Sequence, residues 1–140
     1  MNLSQLNETQ RGRIEGALAR VPFARHLGIE IDTIEPGHAV ILLPVREELK
    51  QYHGVVHGGA VASLIDTAMA MAIIPDLSDT ERVTTVDLTV SYLRPLTEGV
   101  IKADARIVRK GRSIIALSAE VFDHNGKLAA TSLSTYLRIV

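Results

Sequence analysis

The chain has 140 residues, with 15 Lys plus Arg set against 16 Asp plus Glu for a net charge of −1. That balance argues against nucleic acid as the main partner, because phosphate binding runs on a surplus of Lys and Arg. A hydrophobic share of 46% argues against disorder, and the lack of any cysteine excludes disulfide scaffolds, thiol nucleophiles and thiolate zinc sites.

One ordinary domain over residues 1–140 accounts for the length. The N-terminal stretch to Arg20 is polar and lacks the basic-then-apolar layout of a signal peptide. Ser4 or Asn7 is placed to cap a short helix running toward Arg20, and Pro22 is expected to close it. Its apolar positions, Leu6, Ile14 and Leu18, are sparse, so this helix should lie on the outside. From Leu27 the period shortens: Ile29, Ile31 and Thr33 alternate with Glu30 and Asp32. Pro36-Gly37 marks a turn, and His38 to Leu43 follows as a second strand. Val45 to His53 reads as an extended connection.

Ala60 to Ile74 is rich in Ala, Leu, Ile and Met, too long for a usual strand, and apolar nearly all round, so it is expected to form a buried helix. It is shorter than the ~20 residues a bilayer span takes, and a cytoplasmic protein with no membrane partner is expected. Its only polar side chains, Ser63, Asp66 and Thr67, share one narrow stripe. The remainder is strand. Val83 to Leu93 sets Val86, Leu88, Val90 and Tyr92 against Thr85, Asp87, Thr89 and Ser91. Ile101 to Ile107 alternates as well, and Ser113–Phe122 and Leu128–Leu137 are joined by the hairpin signal Asp123 to Gly126. Helix, two strands, buried helix and four strands fit a long antiparallel sheet wrapped around one apolar helix. Such a sheet leaves edges exposed, which pairing with a second copy would cover.

The segment that carries chemistry is Gln51-Tyr52-His53-Gly54-Val55-Val56-His57-Gly58-Gly59, leading straight into the buried helix. A helix start presents unpaired N–H groups and a positive dipole end. Two glycines there either make a tight turn or let a ligand atom approach the backbone, where an N–H can stabilise a developing oxyanion. Asp66 argues for the second use. A lone carboxylate on an apolar helix, with no cation near it in sequence, needs a tertiary partner or a function. Gly58 and Asp66 are eight residues apart, roughly 12 Å along the axis, so one helix cannot bring both to a single carbonyl. Two antiparallel copies could, which predicts sites shared across a dimer.

His57-Gly58-Gly59, then Leu64, Asp66-Thr67-Ala68, Val86-Asp87, Tyr92, Leu93 and Pro95 together resemble the hotdog-fold acyl-CoA thioesterases of the phenylacetic-acid-degradation type, from about Pro22 to the C-terminus. The resemblance implies an α+β chain forming a single hotdog domain, a long curved antiparallel sheet around one central apolar helix, with residues 1–21 as an accessory helix. It also implies a homodimer that pairs into a dimer of dimers, an acyl-CoA substrate, and no metal or cofactor. By residue, it implies that the Gly58 N–H polarises a thioester carbonyl and that Asp66 is the nucleophile or the base that activates water. Gln51, six positions before His57, would orient substrate or water, and Thr85 would support the acid, with Thr84 an adjacent competitor.

Around the turn at Gly111, Arg106, Arg109, Lys110 and Arg112 form the densest basic cluster, suited either to the phosphates of coenzyme A or to a solvated hairpin tip. His57 is expected to order its loop by hydrogen bonding and His53 to sit partly exposed, with Gly59 and His53 as candidate substrate-binding residues. His53 and His57 lack a third nearby ligand and stand among glycines, so a metal is not expected. The expected activity is hydrolysis of acyl-CoA or aryl-CoA thioesters. A non-catalytic acyl-CoA-binding module, and a dehydratase or hydratase of the same fold acting on 3-hydroxyacyl thioesters, are the alternatives.

Overall fold

The computed structural model describes residues 1–140. Helix α1 spans Glu8–Arg20 and opens on a reciprocal cap: Asn7 Oδ1 accepts the Gln10 N–H at 2.9 Å while Gln10 Oε1 accepts the Asn7 N–H at 2.9 Å. Ile14 anchors it by complete burial, with Ala17 and Leu18 packed beside it against the core and Arg13 donating to Pro75 O at 3.0 Å. Pro22 does more than close it. It opens a second helix, α2 (Pro22–Leu27), at the first helical position, where its missing N–H would have found no partner in any case. Gly28 then ends α2 in the left-handed conformation, with φ of 80°.

Six antiparallel strands follow: β1 (Glu30–Glu35), β2 (His38–Pro44), β3 (Arg82–Tyr92), β4 (Val100–Lys110), β5 (Ile114–Phe122) and β6 (Leu128–Ile139). Their order in the sheet is β1-β2-β4-β5-β6-β3, so β1 and β3 are the edges. The connection after β2 is more structured than expected, with a single 3-10 turn at Glu47–Leu49 and an antiparallel bridge from Lys50 to Val56. Helix α3 (Gly58–Ile73) lies in the concavity of the sheet, with Leu64, Ile65, Ala68, Met69 and Ala72 fully buried.

With the 3-10 turn Ile74–Asp76, this helical stretch reaches 19 residues at mean hydropathy 1.5, long and apolar enough to cross a membrane, contrary to the reading of Ala60–Ile74 alone. Over half of it, 56%, is buried against the protein itself, which accounts for its apolar character without a bilayer.

Two one-residue bulges correct the expected alternation. In β1 the register slips between Ile31 and Thr33, so Ile34 rather than Thr33 takes the buried position. In β3 it slips between Thr85, which pairs with Tyr136, and Asp87, which pairs with Thr135. Val86 is the extra residue and stands 56% exposed. Strict alternation puts Thr85 on the face opposite Leu88, Val90 and Tyr92. The bulge brings it round to the helix side with them.

The two edges are finished differently. Along β1 runs the N-terminal segment, with the Asn2 N–H donating to Asp32 O at 2.7 Å and the Ile34 N–H to Asn2 O at 3.1 Å. The outer edge of β3 has no strand beside it.

Candidate functional site

The first turn of α3 has four backbone donors to account for. His57 is the N-cap, and its Nδ1 accepts the Gly59 N–H at 2.8 Å. His57 O accepts from the Ala60 and Val61 N–H groups at 2.9 and 3.3 Å. The Gly58 N–H makes no hydrogen bond within the chain, and no acidic residue occupies the first turn to offset the positive dipole end. Gly59 therefore supplies no spare donor. Its use is spatial, because a Cβ there would stand 3.0 Å from the His57 ring atom that caps the helix.

Gly58 is hemmed in on its other side by Tyr92, whose hydroxyl donates to Gly58 O at 2.8 Å and whose ring would lie 3.3 Å from an added Cβ. An open cleft of about 320 Å³ starts at Gly58 and is lined mainly by apolar side chains, among them Val56, Val61, Leu93 and Leu96, with Arg94 beside them.

Asp66 lies two turns further along α3, half-buried. Its Oδ1 accepts the Thr85 hydroxyl at 2.8 Å and the Tyr136 hydroxyl at 2.5 Å. No cation pairs with it. The structure selects Thr85 over Thr84 through the β3 bulge. Tyr136 is the residue that sequence reasoning missed: in β6 it reads as one more core aromatic at an inward position, and only its pairing with Thr85 across the sheet reveals a second use. Burial, and then donation to Asp66, push the Tyr136 phenol well above its ordinary range, so it remains a protonated donor.

The remaining candidates stand apart. Gln51 is exposed in a tight turn ending at Gly54, where its Oε1 accepts the His53 N–H at 2.9 Å. His53 is exposed too, packed edge-on against Tyr52 at 4.9 Å. Arg109, Lys110 and Arg112 are all exposed on the β4–β5 hairpin. Lys110 lies 4.0 Å from Asp76, just beyond the C-terminal end of α3, whereas Arg109 and Arg112 make no ion pair. Within one protomer the basic cluster therefore sits at the far end of the 16-residue helix from Gly58, roughly 24 Å away. The structure gathers two groups: Gly58 with His57, Gly59 and Tyr92, and Asp66 with Thr85 and Tyr136.

Residues 53–130 match the family model described as the thioesterase superfamily. The chain belongs to that superfamily. A thioesterase family protein from Silicibacter pomeroyi superposes with a TM-score of 0.89 at 27% identity, covering 94% of this chain and 98% of that one. The PaaI protein from the phenylacetic acid degradation operon of E. coli superposes at 0.88 with 25% identity, over 96% of each chain. A 1,4-dihydroxy-2-naphthoyl-CoA hydrolase of Listeria monocytogenes is 28% identical over 109 residues, 78% of this chain and 89% of its own length. The fold of this superfamily member is the hotdog arrangement that the sequence resemblance implied. The matched span includes His57, Gly58, Asp66 and Thr85, begins after Gln51 and ends before Tyr136.

Proposed function

We propose that this thioesterase-superfamily chain hydrolyses acyl-CoA or aryl-CoA thioesters at sites shared between two copies of itself. One observation carries the reading: the unspent Gly58 N–H and the cation-free Asp66 carboxylate lie on one helix, yet roughly 12 Å apart along its axis. A second copy, running antiparallel, sets the Gly58 of one chain against the Asp66 of the other. The open β3 edge and the half-exposed Ser63–Asp66–Thr67 stripe support such a contact. The same arrangement swings the basic hairpin of one copy toward the other copy's Gly58 cleft, where Arg109 and Arg112 would meet the phosphates of coenzyme A.

In the reaction, the Gly58 N–H donates to the thioester oxygen as negative charge grows on it, the helix dipole adding to the effect. Asp66 either takes a proton from water as that water attacks, or attacks the carbonyl carbon itself. The carbon–sulfur bond then breaks and the thiol leaves. Oxygen isotope found in Asp66 after a single turnover in labelled water marks direct attack.

Thiol release across short, medium, long and aromatic acyl-CoAs tests the activity, and binding without release would overturn it. The shared site is tested by subunit mixing. Gly58→Pro deletes the N–H at the first helical position, where the Tyr92 ring must give by a few tenths of an ångström to admit the added Cβ, and Asp66→Asn deletes the charge. Each alone is expected to be nearly inactive, and co-expressed one to one they should recover about a quarter of wild-type activity, since half the dimers are mixed and each holds one intact site. No recovery would overturn the shared site.

A further inference from the structure

The two oxygens of the Asp66 carboxylate are not equivalent. Oδ1 accepts from Thr85 Oγ1 at 2.8 Å and from Tyr136 OH at 2.5 Å, while Oδ2 accepts nothing from the chain. The Tyr136 hydroxyl also lies 2.7 Å from the main-chain oxygen of Asp66, and its single proton goes to the nearer acceptor, Oδ1. Thr85 and Tyr136 are direct partners across the β3–β6 ladder, and Tyr136 pairs with Ile115 on its other side. Tyr136 is buried at 2% exposure, so its ring has no room to swing away.

We propose that Tyr136 is a positioning residue that, with Thr85, commits Oδ1 of Asp66 to the scaffold and reserves Oδ2 as the reacting oxygen. This rests on the thioester-hydrolysis reading above and adds to it the identity of the working atom. A carboxylate oxygen has about two lone-pair directions, and two hydroxyl donors occupy those of Oδ1. A third donor, the proton of an attacking water, finds its acceptor at Oδ2. The terminal torsion of an aspartate is otherwise broad and two-fold, so an unclamped Asp66 would present either oxygen over a range of angles.

The chemistry then balances in either route. Oδ2 takes a proton from water as the water oxygen bonds to the carbonyl carbon, the carbon–sulfur pair departs with sulfur, and Oδ2 returns the proton to the thiolate. Alternatively, Oδ2 itself bonds to the carbonyl carbon, sulfur leaves with its electron pair, and water later cleaves the mixed anhydride.

The test is Tyr136→Phe, assayed with an acyl-CoA that the wild type hydrolyses. kcat is expected to fall on the order of tenfold, as for a misplaced catalytic group, with KM held within about twofold. Thr85→Val, which removes the other donor to Oδ1, should lower kcat in the same direction, with KM again held. A lower thermal midpoint with kcat unmoved would make Tyr136 a packing residue and overturn the proposal. Should the Tyr136→Phe variant not fold, Thr85→Val alone carries the test, and an unmoved kcat there overturns the proposal. A wild type that releases thiol from no acyl-CoA overturns the hydrolysis reading instead, a result visible before any variant is compared.

Discussion

The two faces of α3 are made from neighbouring residues and do opposite things. Leu64, Ile65, Ala68, Met69 and Ala72 are fully buried against the sheet and hold the domain together. Ser63, Asp66 and Thr67, interleaved with them in sequence, form a half-open stripe whose carboxylate is held by two neutral hydroxyls. On the proposed reading, one helix serves both stability and chemistry: the apolar face fixes where the helix sits, and the polar face carries a carboxylate with one oxygen tied to the sheet and one free. Substitutions on the two faces should therefore separate in what they damage.

The largest effect belongs to the polar face. Asp66→Asn keeps the acceptor oxygen and removes the charge, and is expected to lower kcat by about 10³-fold, within the range for a general base. Its denaturation midpoint should stay near wild type. A variant retaining more than a tenth of wild-type kcat would break the comparison. Leu64→Ala, two positions away on the apolar face, should do the reverse, costing about 2–5 kcal/mol in chemical denaturation. At a temperature where it stays folded, its kcat should remain within a few-fold of wild type.

The smallest effect lies off the helix. Glu81 is held down from its usual 4.5 to about 2, first by the Ser78 N–H and then by the Arg138 guanidinium. A depressed carboxylate adds stability above its unfolded value and loses it as the pH falls through the folded one. The stability gap between wild type and Glu81→Gln should accordingly be full above about pH 5 and shrink from pH 4.5 toward 2. A gap constant with pH would mean that Glu81 contributes through shape alone.

The parts of this molecule legible in its sequence are those set by local composition. An apolar run with one polar stripe reads as a helix wrapped by other elements, and paired glycines at its start mark either a tight turn or an exposed backbone donor. The parts that were hidden depend on how distant segments meet. Pro22 can end a helix or begin one, and nothing local to it decides which. Thr84 and Thr85 are chemically identical neighbours, so only a slip in pairing with β6 tells them apart. Tyr136 lies 70 residues from Asp66 and occupies an ordinary inward position, so its hydroxyl gains meaning only in three dimensions. In sequence Gly59 is a twin of Gly58, and only the folded position of the His57 ring, which takes the Gly59 N–H, separates them.

The miscounted step at Val86 reaches beyond geometry. If the pairing of Asp87–Tyr92 with β6 continued unbroken through the strand, Val86 would stand opposite Tyr136, and an isopropyl group would face the Asp66 carboxylate in place of a hydroxyl. The chain would gain a cleaner ladder and lose the Thr85 donor to Asp66 without any change in its amino acids. On the hydrolytic reading proposed above, a tidier outer strand would act against turnover, and inactivating changes can be sought among residues that touch no substrate at all.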